Sequence, residues 1–340
     1  HVTLEGGRTY FWCACGRSAT QPFCDGSHKG TGILPRKVVP ARTEEVLLCG
    51  CKHTQGAPFC DGAHTNLPGG SPLDDPDSPA NRAIPEVTDR DGARCWLNGR
   101  CHIVSPASMQ KVSKGHLRYC YLVRAESGAI YQTQLLLEVQ GGASPILSFG
   151  ERELILFVVQ GSGRIAISGR EFDIKINDGV YVRSGEALSV IPTGGETLRM
   201  FALVHPQGEL EWPDAMPRNF DAEYPMRVVS VDPAQRTAMG PRYFQLLVDK
   251  RIGSRLITQF IGHIPPSKAA PHRHLYEESI IVLAGQGYVW TEDRKARVQA
   301  GDAIFLPRKQ LHSLEATSAE GMFVVGVICP GDNPSINYYD

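Results

Sequence analysis

The sequence lacks any run of the ~20 apolar residues that a bilayer-spanning helix needs. Its longest apolar stretches, such as residues 154–159, have the length of a strand. It also lacks a charge excess, with 35 basic residues against 36 acidic ones. No footprint for nucleic acid or an anionic membrane follows from that balance. No secretory leader pattern opens it, and no long amphipathic helix is apparent. What it has instead is turn formers, 35 Gly and 24 Pro in 340 residues, enough chain for two or three domains.

Two stretches near the start share one layout, 36 residues apart. The first has Cys13, Cys15, Cys24 and His28; the second has Cys49, Cys51, Cys60 and His64. Each reads C-x-C-x8-C-x3-H, with Phe-Cys-Asp-Gly before the last member. Three thiols and one imidazole at fixed spacing, used twice, indicate metal. Six of the ten cysteines are thereby used, leaving Cys95, Cys101, Cys120 and Cys329. Thiols that serve as ligands must stay reduced, so a cytoplasmic setting is expected and Cys95 and Cys101 are not read as a bridge. A mononuclear structural zinc site is the alternative, but zinc hairpins fit the C-x-C opening and the close Cys-x3-His end less well. His53 has no counterpart in the first copy, where Arg17 stands, and is read as a surface residue.

This spacing resembles the CDGSH (NEET-type) iron–sulfur family over about 65 residues. The resemblance implies one [2Fe-2S] cluster per motif. Cys13 and Cys15 would hold one iron and Cys24 and His28 the other; Cys49 and Cys51, then Cys60 and His64, would do the same in the second copy. A neutral imidazole in place of a fourth thiolate leaves the site less negative, so its potential should exceed that of an all-Cys cluster.

Residues 1–65 thus form a candidate metal module. Residues 66–90, with Pro68, Pro72, Pro76, Pro79 and Pro85 among Gly and Asp, read as a linker. From there the pattern is short strands between turns, including 164–168, 171–176, 179–183, 279–284, 287–291 and 303–306. That pattern predicts a sandwich or barrel. A second repeat lies within it, at a shift of 124: Gly161 and Gly163 correspond to Gly285 and Gly287, and Asp178 to Asp302. The expected class is mainly β, with one barrel over 91–217 and another over 218–340.

The C-terminal copy carries His272, His274 and Glu278, then Gly285, Gly301, Pro307 and His312. His272 and His274 would share one face of a strand. The set resembles the cupin family, H-x-H-x3-E-x6-G followed by G-x5-P-x4-H, over roughly residues 255–330. Lys309 and Ala316 depart from that pattern at positions that are not ligands. The resemblance implies two jelly-roll barrels and one divalent metal on His272, His274, Glu278 and His312. Glu277 is a weaker candidate for the carboxylate. Three imidazoles and one carboxylate would leave open positions, as in a reactive site. Tyr276, Arg308 and Gln310 are candidate substrate contacts. Shifted by 124, the first copy shows Ser148, Gly150, Leu154 and Leu188, so an empty structural barrel is expected there.

Three functions remain open. One is a non-haem iron oxygenase or other oxidoreductase acting on a small molecule with O2, its clusters feeding electrons from an external reductant to Fe(II). Another is a non-redox hydrolase or isomerase using Mn, Zn or Ni, with regulatory clusters. The third is a redox-sensing binding protein. No nucleic acid or membrane partner is expected, and a homodimer is open.

Overall fold

The computed structural model describes residues 2–52, 54–60, 73–331 and 333–334. His53 and His64, and the first part of the expected linker, lie outside the described residues. The chain is mainly β.

The two metal motifs are alike down to single hydrogen bonds. Cys13 N donates to Pro22 O (2.9 Å) and Cys49 N to Pro58 O (2.8 Å). Cys24 N donates to Phe11 O and Cys60 N to Leu47 O, both at 2.8 Å. Ser18 Oγ reaches Phe23 O at 2.5 Å and Thr54 Oγ1 reaches Phe59 O at 2.6 Å. The short strands leading into the motifs cross between copies. Val2–Leu4 pairs with Glu44–Val46, and Tyr10–Trp12 pairs with Arg36–Val38. Little apolar side chain is buried in this module, chiefly Leu4 and Trp12, so much of its stability must come from whatever the ligands hold.

The first barrel joins a seven-stranded sheet to a four-stranded one, and the second joins eight strands to five. The expected strands are present as Ser162–Ile167, Arg170–Lys175, Asp178–Val182, Glu277–Ala284, Gln286–Thr291 and Ala303–Leu306. Each sheet pair encloses an apolar core, one around Leu156 and Ile165 and the other around Val282 and Val289. A third core, with Phe157, Phe201, Ile281 and Phe305, lies where the barrels meet.

The domain boundaries differ from those expected. Strands Arg94–Trp96 and His102–Val104 sit in the sheet of the second barrel, beside Ala303–Leu306. Strand Val228–Ser230 pairs back onto Asp178–Val182 of the first barrel. Each barrel therefore completes a sheet with a strand from outside its own run of sequence. The two exchanges are anchored alike. Ser105 Oγ donates to Asp302 Oδ1 (2.6 Å) and Ser230 Oγ to Asp178 Oδ1 (2.7 Å). The second oxygen of each aspartate takes a backbone N–H, from Gln299 at 3.1 Å and Lys175 at 2.9 Å.

The expected linker is also corrected over residues 73–90. Leu73–Asp74 adds to the edge of Ser267–Ala269, Val87 N donates to Lys295 O (2.7 Å), and a short helix, Pro79–Arg82, lies between them. Proline-rich composition excludes central strands and long helices, but not edge pairing through carbonyls and the remaining N–H groups. Lys268, 1% exposed, closes this edge by an ion pair with Asp74 (2.6 Å).

Candidate metal centres

In the N-terminal module, folding brings Cys13 Sγ to 3.8 Å from Cys15 Sγ and Cys24 Sγ to 3.0 Å from His28 Nδ1. In the second motif Cys49 and Cys51 sulfurs lie 3.5 Å apart. Soft thiolates beside one imidazole are the donor chemistry an iron–sulfur cluster takes. Around the first motif, Gln21 Nε2 points at Cys13 Sγ (3.3 Å). Burial opposes ionisation of Cys13. Hydrogen bonds from Ser18, Gln21 and Cys15, with the Lys52 charge, nevertheless hold its thiol below the ordinary range.

The second barrel gathers His272, His274 and His312 so that one ligand atom from each lies within 4.8 Å of the others, all buried. His272 and His312 face each other through a double backbone bridge of 2.9 Å each way. Glu278, on Glu277–Ala284, brings Oε2 to 3.4 Å from His274 Nε2. Glu277 points the opposite way, as alternation requires. It accepts from Ile130 N (2.6 Å) and Tyr131 N (3.0 Å) of the first barrel, which removes it as a ligand.

The imidazoles are set for coordination. His272 Nδ1 meets Ala270 O (2.8 Å) and His312 Nδ1 meets Gln310 O (2.9 Å). A carbonyl can only accept, so Nδ1 carries the proton and Nε2 keeps its lone pair. Burial holds His272 down to about 3, helped by His312, and His312 down to about 4. Burial alone pushes Glu278 up to about 8. Neutral imidazoles beside a carboxyl that lacks a compensating charge fit a divalent cation.

These four side chains form one wall of a cavity of about 80 Å³. Phe244, Phe260, Ile280, Leu314 and Val324 supply apolar lining, Tyr243 and His263 also face it, and Arg242 is the one arginine among the described lining residues. Tyr276 is near the site, stacked on His274 at 4.6 Å and 12°. Arg308 and Gln310 do not line the cavity. Arg308 is exposed and bonds Leu275 O and Tyr131 OH, and Gln310 Nε2 bonds Leu311 O. The Cys101–His102 pair is a packing pair: Cys101 is fully buried and its thiol is pushed far up.

Strand registers correct two of the positions expected in the first barrel. The pairs Leu147↔Leu188 and Ile167↔Leu188 match His272↔His312 and Thr291↔His312. The counterparts of His272 and His274 are thus Leu147 and Phe149, not Ser148 and Gly150. Leu154 and Leu188 keep the expected positions. All four side chains lie in the first barrel's core. Arg242 likewise corresponds to Leu117, which is fully buried there. Where one barrel has its polar wall, the other is filled with hydrocarbon.

Residues 260–328 match the cupin domain family, and residues 1–29 match the iron-binding zinc finger of CDGSH type. The chain carries a CDGSH domain and a cupin domain. Human mitochondrial CDGSH iron-sulfur domain-containing protein 3 is 55% identical over 47 residues, 13% of this chain and 37% of that protein. Its mouse namesake is 58% identical over 38 residues, 11% of this chain and 28% of that protein. The chain thus spans about a third of the length of these curated relatives. Two-barrel proteins of known structure resemble the cupin part. YlbA from E. coli gives a TM-score of 0.56 at 16% identity, covering 73% of this chain and 97% of that one. Lactobacillus farciminis oxalate decarboxylase in its formate complex gives 0.54 at 14%, covering 73% and 90%. At such identities the likeness is one of fold.

Among the described residues, a lysine of the cupin reaches the CDGSH module. Lys309 N donates to His274 O (2.7 Å), and Lys309 Nζ lies 3.5 Å from Ala19 O of the first CDGSH motif. Ala19 N in turn bonds Asp25 Oδ2 (2.7 Å), next to Cys24. Among the described residues, no helix is long and apolar enough to cross a membrane.

Proposed function

We propose that this chain is a redox metalloenzyme, a non-haem iron oxidoreductase of oxygenase type acting on a small molecule. In this reading two [2Fe-2S] clusters supply electrons to a mononuclear iron site, and the first barrel is a metal-free scaffold. The observation that carries it is the contact from the first CDGSH motif through Lys309 to the backbone of His274. It supports an electron carrier tied to its consumer.

Iron bound by His272, His274, His312 and Glu278 supplies one-electron redox chemistry and Lewis acidity. The protein's own part is positional. Ala270 O and Gln310 O fix the ring tautomers of His272 and His312. Tyr276 holds the His274 ring by stacking. Phe244, Phe260 and Val324 exclude water, which strengthens every charge interaction inside. Arg242 offers a substrate anion a cationic contact on the cavity wall. The partners implied are the substrate, O2 and an external one-electron reductant, in a thiol-reducing compartment such as the cytoplasm.

Anaerobic purification with metal and sulfide analysis tests this reading. About five irons with four sulfides are expected, followed by O2 uptake on reduction in the presence of substrate candidates. Four irons plus Mn or Zn would favour the hydrolase or isomerase reading. Cys24→Ala should abolish O2 uptake while the cupin metal is retained, and unchanged uptake would overturn electron delivery.

A further inference from the structure

The first barrel is an internal control for the second, because matching registers relate them position by position. In the second barrel three neighbouring strands, Arg242–Val248, Thr258–Ile264 and Met322–Cys329, set Phe244, Gly262 and Val324 side by side. In the first barrel the same registers set Tyr119, Leu137 and Met200 side by side. Leu137 is fully buried in that barrel's core. Gly262 thus stands where hydrocarbon fills the other barrel, and it lines the cavity of the candidate metal site. Neither backbone nor packing demands a glycine there. Its φ is not left-handed. A Cβ would meet Tyr243 O at 3.4 Å, Val324 Cγ2 at 3.6 Å and Phe260 Cδ2 at 3.9 Å, all ordinary contacts. Glycine inside a strand weakens it, and often marks the close approach of a ligand. The missing side chain leaves a notch between Phe244 and Val324. Arg242, 7% exposed, lies two residues before Phe244 on the same face, at the position of Leu117. Beyond the candidate ligands, then, two leucines of the first barrel are matched by an arginine and a glycine. One brings a cation into the cavity, and the other brings room.

We infer that Arg242 and Gly262 select the substrate class: a short-chain aliphatic carboxylate, its carboxylate turned to Arg242 and its tail in the notch over Gly262. The inference rests on the proposal that this cavity holds a divalent metal, and not on the oxygenase reading. A divalent ion and Arg242 together outweigh the single carboxylate of Glu278, so a neutral guest would leave positive charge uncompensated in an apolar cavity. An anion offsets it, and a guanidinium is shaped to take a carboxylate through paired N–H groups. Leu314 O accepts from Arg242 Nη2 (3.3 Å), which holds the guanidinium against the wall. Size sets the other limit. The cavity of about 80 Å³ is roughly half of the ~150 Å³ that encloses a benzene ring, which suits a branched tail of about three carbons.

The test is isothermal titration calorimetry of the full chain with isobutyrate, isobutyramide and acetate, without O2 or reductant, so that no turnover competes with binding. The cupin metal is counted first. A protein that takes up no divalent metal there would overturn the metal-site reading, and this inference with it. Isobutyrate should bind at least about tenfold more tightly than isobutyramide, its neutral isostere, as a charge-assisted contact demands. It should also bind at least about tenfold more tightly than acetate, which has two fewer carbons to bury. Arg242→Leu, the residue of the first barrel, should weaken isobutyrate at least about tenfold and isobutyramide far less, with the metal retained. Gly262→Leu should weaken isobutyrate by a similar factor and acetate hardly at all. Gly262→Ala, whose Cβ has room, should move isobutyrate the same way by less, and it carries the test where the leucine variant does not fold. Metal-loaded protein that binds isobutyrate and isobutyramide equally would overturn the inference. So would an isobutyrate affinity unchanged in Arg242→Leu, or unchanged in both glycine variants. The expected binding on a Mn or Zn centre would leave the inference standing and sink the oxygenase reading alone.

Discussion

At the scale of single residues, Glu278 shows how the cupin site is balanced. Its carboxyl is pushed from 4.5 to about 8 by burial. The folded metal-free protein therefore binds this proton more tightly than the unfolded chain. The associated stability is complete below pH 4.5 and is lost as pH rises through about 8. The loss is on the order of 5 kcal/mol. Glu278→Gln should remove this part of the pH slope, measured as the difference between variant and parent in denaturant melts from pH 5 to 9 without metal. With metal the order reverses, because the anion then has a cation beside it. The variant should bind the divalent metal at least about tenfold more weakly by equilibrium competition, as loss of a charged ligand demands. Equal affinity would remove Glu278 from the ligand set.

The candidate ligands were legible because metal chemistry demands particular residue types at particular spacings. Arg242 was not, because one arginine on a strand carries no pattern. It shows only when the barrels are compared, as an arginine where Leu117 is core. Ser148 and Gly150 were misassigned for a mechanical reason. Phe149 and Leu154 are five residues apart, whereas His274 and Glu278 are four apart. A turn absorbs that extra residue, while a fixed shift carries it into the strand and turns each side chain to the wrong face. Arg242→Ala should raise KM for an anionic substrate more than it lowers kcat, and a pure kcat effect would place the residue outside substrate binding.

At the scale of elements, strand exchange is the recurring device. It joins the two CDGSH copies through Val2–Leu4 and Glu44–Val46, and the two barrels through His102–Val104 and Val228–Ser230. The individual strands and both repeats could be seen in the sequence. Their exchange could not, since the partners are far apart; Ser105 and Asp302 are separated by 197 residues. Pairing over such distances leaves no periodic signal. Asp302 and Asp178 clamp the two exchanges with the same bonds, so Asp302→Ala and Asp178→Ala should cost similar amounts, about 1–3 kcal/mol each, by removing the buried acceptor of two part-buried hydrogen bonds. Urea melts read this directly. A large loss in one barrel alone would show that the clamps are not equivalent.

At the scale of the whole molecule, the question is how the CDGSH module is kept near the cupin site. Asp74 fixes the point where the described chain re-enters the cupin edge, through Lys268 Nζ (2.6 Å) and Asn81 Nδ2 (2.9 Å). Removing it leaves Lys268 as a buried cation with its partner lost, a cost of about 3–5 kcal/mol by analogy with broken buried pairs. Asp74→Ala should therefore release Leu73–Asp74 and raise local amide exchange there, before the barrels themselves melt. On the proposed reading the module is a tethered reactant, and tethering raises its effective concentration above that of a free partner. Transfer between module and cupin within one chain should then proceed at a rate independent of protein concentration. Stopped-flow reoxidation of the reduced clusters by substrate and O2, followed over a tenfold range of micromolar protein, measures that rate. A flat response agrees with delivery within the chain, through the Ala19–Lys309 contact. A rate that climbs in proportion to concentration would mean that each module serves another molecule, and the electron route would then have to be sought between chains.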